Sequence, residues 1–167
     1  MTILNQKTIN KTLYFEGITL HKGKNAKMRI LPSEPNSGIV FKRIDLRKDN
    51  LISANFFNVS DATLCTTLTN EANVKVSTVE HLMAAFYGMG VDNALVEIDQ
   101  EEIPIMDGSS KAFVEAIKES GLRNSSTPIK IIKILNKVKI KYNNKHISIE
   151  PTNTTLEIDF EIKFNNE

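Results

Sequence analysis

Glu80 and His81 stand side by side in the stretch Ser77-Thr-Val-Glu-His-Leu82. A carboxylate beside an imidazole can divide the work of a metal-dependent hydrolase. A neutral imidazole ligates zinc, the metal acidifies a water molecule, and a carboxylate not bound to the metal takes the proton. Successive helical residues are rotated by about 100°, so both side chains can border one cavity without stacking on each other. Spacing alone leaves a plainer explanation open. Ser77 and Glu80 match a capping box, a lone helical histidine is more often a surface or core residue, and no second histidine completes an H-E-x-x-H pattern.

Other chemistry-bearing residues are few. The three histidines are His21, His81 and His146, and Cys65 is the single cysteine. One cysteine excludes an intramolecular disulfide framework and fits a reducing compartment. His21 lies in the loop Leu20-His-Lys-Gly23, Asp107 reads as a turn and helix-start residue, and His146 reads as solvated beside Asn143-Asn-Lys145. Hydrophobic residues make up 41% and charged residues 25%, the balance of a soluble globular protein. A formal net charge of +1 gives no indication of nucleic acid as a partner. The N-terminus lacks an apolar signal region, and no apolar run is long enough to span a bilayer. A soluble cytoplasmic protein with no integral membrane segment is the expectation; the oligomeric state is open, with a monomer favoured.

The elements around the pair read as α+β. Residues 7–15 are an extended segment, and strands are expected over 26–31 and 39–44, with Pro32–Gly38 as a turn cluster. Residues 62–69 and 74–77 read as a hairpin across Asn70–Asn73. A helix over 78–87 follows, stopped by Gly88 and Gly90, then a strand over 91–98. A second helix over 110–120 would bury Ala112, Phe113, Ala116 and Ile117, with Gly121 as a left-handed cap. This first domain, 1–124, is expected to pack a sheet on two helices, with Arg123–Pro128 as the linker.

From residue 128 the pattern is strands only. Residues 137–142 and 146–150 alternate, and 156–164 sets Leu156, Ile158, Phe160, Ile162 and Phe164 against charged neighbours. The result is an antiparallel meander with one apolar face, which needs a covering layer. Leaving the last strand's side chains wet would forgo about 1.5–3 kcal/mol each. Either the first domain covers this face, or 128–167 is the opening of a second domain cut short. The pattern favours truncation.

Five segments then align with one family. Leu20-His-Lys-Gly23, Thr63-Leu-Cys-Thr66, Ser77–Leu82, Gly88-Met-Gly-Val-Asp-Asn93 and Glu102-Ile-Pro-Ile-Met-Asp-Gly-Ser109 together resemble the UDP-3-O-acyl-N-acetylglucosamine deacetylases (LpxC), in order and spacing. The resemblance runs from about Lys7 to the last residue. It implies zinc-dependent hydrolysis of the acetamide of UDP-3-O-(3-hydroxyacyl)-N-acetylglucosamine, the committed step of lipid A synthesis in Gram-negative bacteria. It also implies two similar domains whose helical layers face each other across the zinc.

By residue match, Glu80 would be the base and His81 a Zn2+ ligand. Leu64 and Cys65 would lie near the acyl-chain passage, their plainer reading being sheet core. His21 would approach the substrate. There, however, Thr19 and Lys22 depart from the family's usual glycine and threonine or serine, which favours a structural loop histidine. The remaining family ligands, a His and an Asp of an H-K-x-x-D helix, and a further charge-stabilising histidine have no counterpart in this sequence. The 167 residues alone are therefore expected to be inactive. The alternatives are a non-catalytic remnant binding a nucleotide-sugar or protein partner, and a generic α+β interaction module.

Overall fold

The computed structural model describes residues 4–153 and 156–163. Among the described residues twelve strands, two α-helices and one short 3-10 turn (Phe56–Asn58) follow in chain order. The strands before the first helix are β1 (Asn5–Ile9), β2 (Leu13–Ile18), β3 (Asn25–Pro32), β4 (Ile39–Arg43), β5 (Leu51–Ser53), β6 (Val59–Asp61), β7 (Thr67–Thr69) and β8 (Lys75–Ser77). Then come α1 (Glu80–Met89), β9 (Ala94–Ile98), α2 (Lys111–Ser120), β10 (Leu122–Pro128), β11 (Val138–Tyr142) and β12 (Lys145–Ile149). The chain divides into two compact units at Ile129/Lys130.

In the first unit the main sheet has the order β2-β3-β9-β4-β5, antiparallel except for the β4–β9 pair. Alternation explains its strands: Ala26, Met28 and Ile30 of β3 face inward while Lys27 and Arg29 face out. Met28 and Ile30 meet Leu82, Ala85 and Phe86 of α1 and Phe113 and Ile117 of α2 in one core. Phe15 and Phe113 stack edge to face, ring centroids 5.0 Å apart. Burying a side chain such as Phe113 contributes about 1.5–3 kcal/mol. The expected layer of sheet on two helices is what forms. A second, small antiparallel sheet, β6-β7-β8, contains the expected hairpin, shortened to three residues a side.

Several boundaries differ from the sequence expectation. Residues 7–15 form two strands, broken where the Asn10 N–H donates to Gly121 O (3.0 Å) and the Lys11 N–H to Ser120 Oγ (2.9 Å). The presumed linker is strand β10, paired antiparallel with β1. β1 needs a partner for its backbone groups, and this segment supplies it. Gly90 ends α1 in the left-handed conformation (φ 70°, ψ 37°), whereas Gly121 has positive φ with an extended ψ of 172° because the chain passes straight into β10.

The capping box is not formed. Thr78 turns the chain with φ 60°, so Val79 becomes the N-cap and Ser77 stays in β8, its hydroxyl donating to Glu101 O at 3.3 Å.

In the second unit β11 and β12 make a hairpin with Val138 opposite Ile149 and Ile140 opposite Ile147. All four are at least half exposed, Ile147 by 70%. The expected third strand does not form: described residues 156–163 join no sheet, with Ile158 and Phe160 exposed. Alternation does not make a strand without a ladder partner. Phe164 lies outside the described residues.

Candidate functional site

The first turn of α1 is held from three sides. Thr66, just before β7, donates its N–H to Glu80 Oε2 at 2.9 Å, and its carbonyl accepts from the Val79 N–H at 3.4 Å. The Ser110 hydroxyl, at the start of α2, donates to His81 O at 2.9 Å. The third tie is Glu102. Its fully buried carboxylate accepts the Thr78 hydroxyl (2.9 Å) and the His21 N–H (2.9 Å) on Oε1, and the Lys22 N–H (3.1 Å) on Oε2. Burial pushes this carboxyl up, but the His21 N–H, the Thr78 hydroxyl and the Lys22 N–H outweigh that, so it lies below its ordinary range.

Thr78 is β-branched, 2% exposed, and sits at φ 60°. That conformation costs about 1–3 kcal/mol and persists only where surroundings over-determine it. Here they do: the hydroxyl is gripped by Glu102, and Ser77 before it is bridged to Glu101 and Ile103 through the Ser77 N–H to Glu101 O (2.9 Å) and the Ile103 N–H to Ser77 O (3.3 Å).

Glu80 and His81 are both half-buried. His81 Nδ1 is buried without a hydrogen-bond partner among the described residues. Buried polar atoms are nearly always satisfied, so this nitrogen is left to a group that the described residues do not supply, such as water or a metal ion. Among the described residues no cluster of three or more His, Cys, Asp or Glu is placed to hold a metal. Among the described residues His81 could therefore serve as one ligand of a metal site, and no complete donor set is present. Two surface clefts, of about 360 and 330 Å³, include neither Glu80 nor His81.

The other sequence-selected residues divide. Leu64 is 82% exposed, which removes its sheet-core reading; Cys65 is half-buried, its Sγ 3.8 Å from Thr67 Oγ1. The His21 side chain is exposed, and it is the backbone of this residue that engages Glu102. Asp107 accepts the Ser109 hydroxyl (2.9 Å) and N–H (3.0 Å), which hold its carboxyl below the usual range and make it the expected turn residue. His146, in β12, is exposed. Thr66, Thr78 and Glu102 had no mark in the spacing, because their partners are 14 to 81 positions away.

Comparison with known proteins decides the family. The model of the family described as "UDP-3-O-acyl N-acetylglycosamine deacetylase" matches residues 6–167. This chain belongs to that deacetylase family. Similar relatives are the UDP-3-O-acyl-N-acetylglucosamine deacetylases of Idiomarina loihiensis, 41% identical over 162 residues, and Haemophilus ducreyi, 37% identical over 163 residues. The Vibrio cholerae protein of the same name is 38% identical over 163 residues. The alignments cover 97–98% of this chain and 53% of each relative, so the chain spans about half the length of the curated relatives it matches.

Within the deacetylase-family chain, the five segments now sort by what they touch. Thr63–Thr66 meets Ser77–Leu82 through Glu80, and Leu20–Gly23 meets Glu102–Ser109 through the Glu102 carboxylate. Gly88–Asn93 is architectural: the Lys7 N–H donates to Asp92 Oδ2 (2.7 Å), the Gly38 N–H to Asn93 Oδ1 (3.0 Å), and Asn93 Nδ2 to Gln6 Oε1 (3.0 Å).

Proposed function

We propose that this chain supplies the general base and one metal ligand of a zinc-dependent deacetylase acting on UDP-3-O-acyl-N-acetylglucosamine. The step belongs to lipid A synthesis in the cytoplasm of a Gram-negative bacterium. The observation that carries the reading is the Glu80 carboxylate fixed by Thr66 beside His81, whose buried Nδ1 has no partner, in a member of this family. No helix among the described residues is long and apolar enough to cross a membrane, in keeping with a cytoplasmic site of action.

In this reading His81 is a zinc ligand, and the remaining donors come from outside the described residues. Zinc, when bound, polarises the acetamide carbonyl and acidifies water. Glu80 takes the proton of the attacking water and passes it to the leaving amine. The exposed Leu64 and half-buried Cys65 lie two residues and one residue before Thr66, where apolar side chains suit an acyl chain. His21 contributes through its backbone to the Glu102 tie, and its exposed side chain is free to meet substrate.

A single imidazole binds zinc weakly, since each missing ligand costs affinity, so the 167-residue chain is inactive by itself in this reading. A second reading, a non-catalytic remnant that binds a nucleotide-sugar or partner, is favoured only by the lack of a metal cluster among the described residues. Reading the coding sequence past Glu167 and assaying both lengths with zinc separates them. An in-frame continuation with further His and Asp donors, active where the 167-residue chain is not, supports the deacetylase. A continuation without such donors, or one that folds and stays inactive, overturns it.

A further inference from the structure

Glu102 is the buried carboxylate that the proposed chemistry leaves unused. We propose that Glu102 is a positioning residue for Glu80 and His81, acting by holding Thr78 in the left-handed backbone conformation from which α1 begins. This inference rests on the reading of Glu80 and His81 as base and ligand, and adds a residue that touches neither of them.

Three observations carry it. First, Thr78 is the hinge: it lies between Ser77, the last residue of β8, and Val79, the N-cap of α1, and its φ of 60° is what swings the chain from strand to helix. A β-branched residue avoids that region unless something holds it there. Second, the only side-chain hydrogen bond of Thr78 among the described residues runs from its hydroxyl to Glu102 Oε1. Third, Glu102 is itself immobilised. It is fully buried, and consecutive N–H groups of His21 and Lys22 take one carboxylate oxygen each. The loop is closed in turn by the Gly23 N–H to Thr19 O (3.1 Å) and the Lys24 N–H to Thr19 Oγ1 (3.0 Å), and Lys22 pairs with Glu101. The carboxylate is thus a fixed point against which the hinge is set. Glu80 follows two residues on and His81 three, so a change in the hinge dihedral re-aims both.

The same geometry gives the Leu20–Gly23 segment a role that does not need its imidazole. Two backbone N–H groups anchor the carboxylate, which any non-proline residue at 21 and 22 could supply.

The test is a substitution series read by NMR on the 167-residue chain, without metal or substrate. The readouts are the couplings and carbon shifts that report the sign of φ at residue 78, and the resonances of Glu80, the His81 ring and Leu82. Thr78→Val keeps the shape but loses the hydroxyl; it is expected to lose the positive-φ signature and shift all three residues. Thr78→Ser keeps the hydroxyl and Thr78→Gly adopts positive φ unaided, so both are expected to leave them in place. Glu102→Met is expected to reproduce the Thr78→Val shifts with Thr78 present and to cause none beyond the 19–24 loop in a Thr78→Gly background. A merely structural glutamate would shift residues 80–82 equally in both backgrounds, or in neither, and either result overturns the proposal. If Glu102→Met does not fold, the three variants at position 78 decide it: an unchanged first turn in Thr78→Val is fatal. An inactive but intact full-length protein removes the deacetylase reading and leaves these spectra to judge Glu102 by themselves.

Discussion

The backbone N–H of Thr66 donates to Glu80 Oε2 at 2.9 Å, so a residue before one strand of the small sheet fixes the carboxylate at the start of α1. One carboxylate oxygen is thereby committed to structure, leaving the other for the proton transfer proposed above. Substituting Glu80→Gln keeps an oxygen for Thr66 and removes the proposed base. Activity of the zinc-loaded, full-length protein should fall by about 10²–10⁴-fold, while unfolding free energy changes by no more than about 1 kcal/mol. A steady-state deacetylase assay beside a urea titration checks both; a variant as active as the parent excludes Glu80 as the base.

The edge-to-face pair of Phe15 and Phe113 joins β2 to α2 at the centre of the first unit. Phe113 is 1% exposed, and Phe113→Ala leaves a cavity between α2 and β2. The expected loss is about 3–5 kcal/mol, seen as a lower urea midpoint. A loss below about 1 kcal/mol would show that the two layers do not share one core.

Acid should weaken the first unit through Glu102 and Glu97. Burial raises both carboxyls, but hydrogen bonds from His21, Thr78 and Lys22 to Glu102, and from Arg29 and Lys42 to Glu97, bring each below its ordinary value of 4.5. A depressed folded pKa means stability that is present above the unfolded value and lost as pH falls through the folded one. Unfolding free energy should therefore be flat in these two groups near neutrality and decline below about pH 4.5. Glu102→Gln should shallow that decline. Equal slopes in parent and variant between pH 5 and 3, in parallel urea titrations, would contradict it.

The second unit exposes Val138, Ile140, Ile147 and Ile149 on one face of a hairpin, and Ile158 and Phe160 nearby in sequence. Such surface binds hydrophobic dyes and promotes association. The 167-residue chain should enhance anilinonaphthalene sulfonate fluorescence, and Ile140→Thr with Ile147→Thr should reduce it without moving the main thermal transition. No enhancement in the parent would mean that this face is covered in solution.

Much of the architecture was legible because burial periodicity is local. The alternation of Met28 and Ile30 with Lys27 and Arg29, and the spacing of Phe113 and Ile117, each report one buried face within a few residues. The adjacency of Glu80 and His81, and the family their neighbours resemble, were likewise readable from short segments. What spacing could not supply was the pairing of distant groups. Pairing turned the supposed 123–128 linker into a strand against β1, left 156–163 without a sheet partner, and replaced the Ser77–Glu80 capping box with a hinge at Thr78.

By itself, then, the sequence determined the α+β class and the family, and singled out Glu80 and His81 for the proposed chemistry, since these depend on residue types at short range. Only the tertiary structure decided which distant groups hold that pair in place. Glu80 answers to Thr66, and Thr78 to Glu102 and through it to the backbone of His21 and Lys22. Those bonds form between groups far apart in the chain that become neighbours only once the sheet and helices have packed, because a buried polar atom takes whatever partner the fold brings to it.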